Sequence, residues 1–387
     1  MSYQVLYRKY RPKKFSEIIG QNHIVGTLMN AVKSGRVGHA YLFSGPRGTG
    51  KTTIARILAK TVNCANLSKI SGGNIDDKLS VRRSEAKADS YFFEPCNSCE
   101  LCLDFNESRN LDLIEIDAAS SRGIDEVREL REGARFSPSR SKFKVYIIDE
   151  VHMMTKEAFN ALLKTLEEPP AHAIFILATT EPDRLPLTIR SRCQHFHFWR
   201  PSVNQIIERL KFISREEKIK AEESALRLIA KSASGSMRDA ESLFGQVITL
   251  EDKEIKKEEV EEILGVAPSE FVKNFLRHVS EKDARSAIHL VGRIYDEGYD
   301  LGEFNKNLIT DLRHLLLLKI DPKFKTVLKE DLTSDEIEEL EKMVVVLDAK
   351  NLENGLKIFL EANQNIKKFV YPQLALEMAV VEYCGIV

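Results

Sequence analysis

No apolar run in this 387-residue chain approaches the ~18 residues that a membrane-spanning helix needs. The leucine block Leu315–Leu318 is four residues long and reads as a piece of core. Met1-Ser2-Tyr3-Gln4 lacks the basic-then-apolar build of a secretory signal, so the expected location is the cytoplasm. An excess of either charge is missing as well. The 57 Lys+Arg nearly balance 58 Asp+Glu, a net charge of −1, which excludes attraction of nucleic acid by the molecule as a whole. Prolines are few, at 12, and there is no internal repeat. What remains is an ordinary globular composition, 43% apolar and 30% charged, at a length that suggests about two to three domains.

The charge is unevenly spread. Residues 1–60 hold eleven Lys/Arg against one acid, Glu17, whereas Glu251–Glu262 holds seven acids and three lysines. A polyanion would have to meet the N-terminal part; the alternative for any one of these bases is simple surface solvation.

Within that basic part lies Gly45-Pro46-Arg47-Gly48-Thr49-Gly50-Lys51-Thr52, followed by Thr53. It has the spacing of a P-loop, and its context agrees: an apolar run, Ala40–Phe43, precedes it, and Ile54, Ile57 and Leu58 at helical spacing follow. The glycines let successive N–H groups turn inward on an anion, and the helix opening at Thr52 adds the positive end of its dipole. Lys51 is placed to reach the β- and γ-phosphates and Thr52 to hold Mg²⁺. The alternative is a glycine turn without ligand, which this spacing and context disfavour.

Six cysteines are present, and a disulfide framework is not expected in a reducing compartment. Cys96, Cys99 and Cys102 fall at three-residue steps, suited to tetrahedral thiolate ligation of Zn²⁺, with Cys64 as the fourth ligand. Four thiolates leave no open position, so the expected zinc is structural; metal-free reduced thiols are the alternative. Cys193 and Cys384 read as packed residues.

Along the chain, Tyr7-Arg8-Lys9-Tyr10-Arg11-Pro12 mixes aromatic and basic residues. With Ile19, the side chains of Tyr7, Arg11 and Pro12 would form a pocket for an adenine ring, or merely pack an N-terminal arm. Helices are expected over Asn22–Ser34, capped by Gly35, and over Ile124–Ala134 and Lys156–Glu168. Ser68–Ser90 reads as a loop or loose insertion. Strands are expected at Leu113–Ile116, Lys144–Ile148, Ala173–Ala178 and Gln194–Phe198. The second of these ends in Asp149-Glu150. An acid pair at that position beside a P-loop is a Walker B element: Asp149 for Mg²⁺, Glu150 to polarise the attacking water. The third ends in Thr179-Thr180, a polar strand end beside the γ-phosphate. Alternating strands and helices of this size give a parallel sheet covered on both faces, with ligands at the carboxyl ends of its strands. From Pro201 strands are no longer expected. Apolar residues instead recur at helical spacing, among them Ile206, Leu210 and Ile213, then Phe304, Leu308, Leu312 and Leu315. Arg238 sits in the first turn of one such helix. Boundaries are expected near Arg200 and Val266.

Together these residues resemble the AAA+ ATPase subunits of bacterial clamp loaders, the γ/τ family of DNA polymerase III. The resemblance spans essentially the whole chain. It rests on the Tyr7–Pro12 opening, GPRGTGKTTIA, the cysteine set, LIEIDAASS, VYIIDEVHMM, ALLKTLEEPP, LATTEPDRLP and Ser191-Arg192-Cys193. It implies an AAA+ P-loop module over 1–200 with a zinc module inserted at about 64–102, a helical lid over 201–265 and an all-helical collar over 266–387. It implies further that Thr180 is sensor 1, that Arg192 is an arginine finger acting on a neighbour's ATP, and that Arg238 is sensor 2. The implied work is ATP-driven opening of a ring-shaped sliding clamp and its loading onto primer–template DNA, with hydrolysis releasing the clamp. The implied partners are the δ and δ′ subunits and further γ/τ copies. Arg122 and Arg128 are candidates for the DNA-facing surface.

Two features depart from the family pattern. The stretch from Cys64 to Cys96 is longer than the usual spacer, which bears on Cys64 as a ligand. The chain also ends after the third part, so the polymerase and helicase contacts of a longer τ form are not implied. Other readings are another AAA+ DNA motor, such as a branch-migration helicase, and a non-hydrolysing scaffold subunit like δ′. A branch-migration motor needs neither the cysteine cluster nor the Ser-Arg-Cys triplet, and a scaffold has no need of an intact Lys51, Thr52, Asp149 and Glu150.

Overall fold

Five strands, β1 (Ala40–Ser44), β2 (Leu113–Asp117), β3 (Lys144–Asp149), β4 (Ala173–Thr179) and β5 (Gln194–His197), form one sheet in the order β2-β3-β4-β1-β5. All four pairings are parallel. β1 and β4 are buried along their whole length and β3 along its middle, hence their continuous apolar runs. The outer strands β2 and β5 expose polar residues such as Glu115, Gln194 and His195.

The strand pleat divides the core in two. Tyr41, Phe43, Val145, Ile147, Ile174 and Ile176 point to one face. There they meet Ile24 and Leu28 of α1 (Asn22–Lys33) and Ile54 and Leu58 of α2 (Lys51–Val62). Ala40, Leu42, Tyr146, Ile148, Phe175 and Leu177 point to the other face. Val127 and Leu130 of a helix over Ile124–Arg135 cover them, with Phe159 and Leu162 of a helix over Lys156–Glu167. This is the expected sheet with helices on both faces, element ends lying within a residue or two of those expected.

The computed structural model describes residues 4–70, 92–121, 123–250, 254–329 and 332–386. They fall into two units, Met1–Pro201 with Gly235–Ser242, and Ser202–Ser234 with Leu243–Val387. The second unit is helical, as expected. Its largest core gathers Phe275, Phe304, Phe359 and Tyr383, all at most 4% exposed, from four different helices. Phe275 meets Phe304 and Phe359 edge-on at 5.5 and 5.7 Å.

Two expectations are corrected. Ser68–Ile70, read as the start of a loop, is a strand antiparallel to Phe92–Glu94; the rest of the expected insertion, 71–90, lies outside the described residues. Strands also do not stop at Pro201, because Lys220–Ala221 pairs in parallel with Glu254–Ile255. Segments of two or three residues are too short to show a period of two.

Phe359 is fully buried at the centre of the second unit. Its replacement by Ala should cost that unit about 3–5 kcal/mol in chemical denaturation; a loss below about 1 kcal/mol would contradict this placement of the core.

Candidate functional site

The loop after β1 is built by backbone geometry that side chains would obstruct. Gly45, at φ +142°, turns beside β5, where an added Cβ would lie 2.5 Å from the Phe198 carbonyl oxygen. Gly48, at φ +74°, leaves its own Cβ position to the hydroxyl of Ser236, and its carbonyl accepts from the Met237 N–H at 3.1 Å. The loop therefore touches the start of the Met237–Leu250 helix, which carries Arg238. Gly50 occupies the cap position of α2, and no side chain caps that end. The first N–H groups of α2 are thus turned toward the loop, as an anion site requires.

Lys51 is 6% exposed. Its Nζ donates to the carbonyls of Gly45 at 2.7 Å and Pro46 at 2.9 Å. Burial lowers its pKa, and the carboxylates of Glu150 and Asp149 oppose that shift. Thr49 Oγ1 closes the loop by donating to Pro46 O at 2.9 Å. The Thr52 hydroxyl donates to Asp149 Oδ2 at 2.7 Å, so the start of α2 and the end of β3 offer a pair of hard oxygen ligands. That donor chemistry fits Mg²⁺.

Glu150 follows in the left-handed region, at φ 47° and ψ 42°, a conformation costing a non-glycine residue about 1–2 kcal/mol. Strain of this kind persists only where surrounding contacts hold it. Its carboxylate accepts from Thr180 Oγ1 at 3.1 Å and lies 3.4 Å from His152 Nδ1.

Thr179, the last residue of β4, and Thr180, which follows it, have different partners. Thr179 is fully buried; its hydroxyl meets His152 Nδ1 at 3.0 Å and accepts from the Glu181 N–H at 3.0 Å. Thr180 alone reaches Glu150. His152, with 6% of its side chain exposed, also approaches Glu181 at 3.5 Å. Sequence reasoning missed His152 and Glu181, although the polar Thr179-Thr180 strand end pointed to their neighbourhood.

Arg238 lies within the same unit, its guanidinium 4.7 Å from the Tyr7 ring centre; hydrogen bonding to Arg238 lowers the Tyr7 pKa. Arg11 is half-buried, and its pKa is lowered first by that burial and then by the charge of Arg56. Pro12 and Ile19 are half-buried in the same arm; at the loop Thr53 is half-buried and Arg47 is exposed. Arg192 is held elsewhere. It bonds to Thr188 O at 2.8 Å and pairs with Glu167, so its partners are not loop residues. Arg128 is exposed and pairs with Asp125 at 3.1 Å; Arg122 lies outside the described residues.

The second cluster has the donor set of a metal site. The sulfurs of Cys64, Cys96, Cys99 and Cys102 all lie within 4.8 Å of one another. Cys96 and Cys102 are 3.8 Å apart, and a tetrahedron of ~2.3 Å Zn–S bonds has edges of about 3.8 Å. The long stretch before Cys96 is no obstacle. Pairing of Ser68 with Glu94 returns the chain to its starting point, so Cys64 and Cys96 lie at the same end of the ribbon. Cys96 N donates to Cys64 Sγ, and Cys99 N to Cys96 Sγ, each at 3.3 Å. Burial works against the Cys96 thiolate, yet hydrogen bonds from Ser98 and Cys99 bring its pKa down to about 5. Burial raises Cys64 and Cys102. Cys193 stands apart, raised to about 12 by burial alone, as befits a packed thiol.

Three family models match in succession. Residues 20–202 match "DNA polymerase III, delta subunit", 205–252 match the ATPase lid domain of the DNA polymerase III clamp loader subunit, and 255–386 match domain III of subunits gamma and tau. The chain is 40% identical over 384 residues to DNA polymerase III subunit tau of Bacillus subtilis, covering 99% of this chain and 64% of that protein. It is 39% identical over 322 residues to the Escherichia coli tau subunit, of which it spans 46%. With DNA polymerase III subunit gamma of Buchnera aphidicola (Acyrthosiphon pisum) it shares 37% identity over 381 residues, 98% of both chains. Among described residues no helix is long and apolar enough to cross a membrane. The chain belongs to the gamma/tau subunit family of DNA polymerase III.

Proposed function

We propose that this chain is an ATPase subunit of a clamp loader. The observation that carries the reading is the 2.7 Å contact between Thr52 and Asp149, with Glu150 and Thr180 beside it. It supports a phosphoryl-transfer site, in which the protein supplies position and charge. Lys51 neutralises the β- and γ-phosphates of ATP. Thr52 and Asp149 would hold Mg²⁺, which would supply positive charge against the phosphates. Glu150 orients and polarises the attacking water, and Thr180 senses the γ-phosphate while fixing the Glu150 carboxylate. Gly45, Pro46, Arg47, Gly48, Thr49, Gly50 and Thr53 complete the phosphate cradle. The arm bearing Tyr7, Arg11, Pro12 and Ile19 lines the adenine side.

Arg238 acts as sensor 2 on the chain's own nucleotide; its place over Tyr7 supports this. Arg192, whose partners lie away from its own loop, acts on ATP bound to a neighbouring copy. The site is then shared between subunits, which calls for an assembly with further γ/τ copies, δ and δ′. Its cargo would be the sliding clamp and primer–template DNA, gripped through phosphates rather than bases, with Arg122 and Arg128 as candidate contacts. The division into AAA+ module, lid and collar at about residues 200 and 265 belongs to this reading, as does a structural Zn²⁺ on the four cysteines. Cytoplasmic location follows from the same role.

The test is to mix the chain with δ, δ′ and the clamp and to measure ATP turnover with and without primed DNA. Turnover should rise when clamp and primed DNA are both present; indifference to both would remove the clamp-loader role. Glu150→Gln should abolish nearly all turnover while ATP still binds. Arg192→Ala should leave ATP binding near normal and slow hydrolysis in the assembly by about 10³–10⁵; weak binding with normal turnover would contradict the trans role. Metal analysis should find about one Zn per chain, lost in Cys64→Ser; a metal-free native protein would end the zinc assignment.

A further inference from the structure

The cysteine module is not an isolated appendage. Two charged side chains, both almost wholly buried, join it to the N-terminal arm. Glu94, at the end of the ribbon and 0% exposed, accepts from the backbone N–H groups of Phe15 and Ser16, each at 2.8 Å, one on each carboxylate oxygen. Lys60, 4% exposed, projects from α2. Its ammonium donates to Lys13 O at 2.8 Å, Asn97 Oδ1 at 2.5 Å and Asn106 Oδ1 at 2.7 Å. Three N–H donors thus meet three acceptors, two from the cysteine module and one from the arm. Asn97 stands between Cys96 and Cys99 and Asn106 four residues after Cys102, so the positions of these acceptors follow the cysteines. Lys13 directly follows Pro12, and Ser16 is three residues before Ile19.

Buried charges persist in a fold when they are hydrogen-bonded, and the bonds named above run between module, arm and α2. Lys60 lies nine residues beyond Lys51 on that helix, about 13 Å away, so the phosphate end is remote from these contacts while the arm is held directly by them. Phe15 is itself buried in the sheet core, which anchors the arm independently; the contacts of Glu94 and Lys60 set its exact course.

We propose that the cysteine module is a brace for the nucleotide-binding arm, with Glu94 and Lys60 as positioning residues that set affinity for the adenosine part of ATP and leave the phosphate cradle alone. This rests on the nucleotide reading above. Metal ligation serves that reading by holding the Cys96–Cys102 turn, and with it Asn97 and Asn106, in place.

The test uses the full chain, zinc-loaded, titrated calorimetrically with ATP and separately with inorganic tripolyphosphate. Glu94→Gln offers an amide N–H to one of two backbone donors; Lys60→Met removes the ammonium at similar volume. Each should weaken ATP about tenfold, the scale of a charge-assisted hydrogen bond lost, with tripolyphosphate affinity unchanged. Glu94→Gln should keep its zinc, and zinc-stripped wild type should behave like the variants toward both ligands. Hydrogen exchange at Phe15 and Ser16 gives a readout independent of nucleotide and should quicken in Glu94→Gln. ATP affinity unchanged in both variants and in stripped protein would overturn the brace, as would a parallel loss of tripolyphosphate affinity. If wild type itself bound no ATP, the nucleotide reading would fall; unchanged exchange at Phe15 and Ser16 would then overturn the brace separately.

Discussion

A hydroxyl of α2 meets a carboxylate of β3, Thr52 on Asp149 at 2.7 Å, and the arrangement of the first unit follows from that meeting. β1 and β3 are not neighbours, because β4 lies between them, a separation of about two strand spacings or ~9.5 Å. The loop Gly45–Gly50 must therefore carry the chain over the end of β4 before α2 begins. It does so with glycines at positive φ and with Lys51 tying down its carbonyls. The Gly45 N–H donates to Thr179 O at 3.2 Å, so the crossing starts in register with the strand it passes. Every polar group of the site gathers at this one end of the sheet, where parallel strands leave their carboxyl ends open.

Around that contact, the strained backbone at Glu150 and the buried Thr179–His152 pair work together. The strain aims the Glu150 carboxylate at Thr180. His152 is fixed by Thr179 from behind and by Glu181 from the side. Glu181 opens the segment leading to Arg192, and it pairs with Arg184 at 2.8 Å. Thr180, assigned to the chain's own nucleotide, and Arg192, assigned to the neighbour's, are thus close in sequence yet hydrogen-bonded to different partners.

Much of this was legible in the sequence because the chemistry is local. A P-loop needs its glycines, lysine and threonine contiguous, and a buried parallel strand must be apolar throughout, so β1, β3 and β4 announced themselves. Both ends of α1 and the start of α2 were legible within a residue. Other features depend on contacts distant in sequence. Ser68–Ile70 becomes a strand only because Phe92–Glu94 returns to it, and that return also brings Cys64 to the other cysteines. Nothing near Glu94 or Lys60 distinguishes them from surface charges until the fold surrounds them with Phe15, Ser16 and Lys13. The separate fates of Thr179 and Thr180 follow from the end of β4 falling between them, the first buried in the strand and the second in the bend after it.

The central claim is that one copy supplies the pocket and another supplies Arg192. The most direct test mixes two variant chains, Glu150→Gln and Arg192→Ala, each nearly inactive when assembled alone with δ, δ′ and the clamp. Mixed assemblies contain seams at which an intact pocket faces an intact arginine. The account predicts that ATP turnover of the mixture exceeds the sum of the two separate assemblies. Turnover no greater than that sum would contradict it.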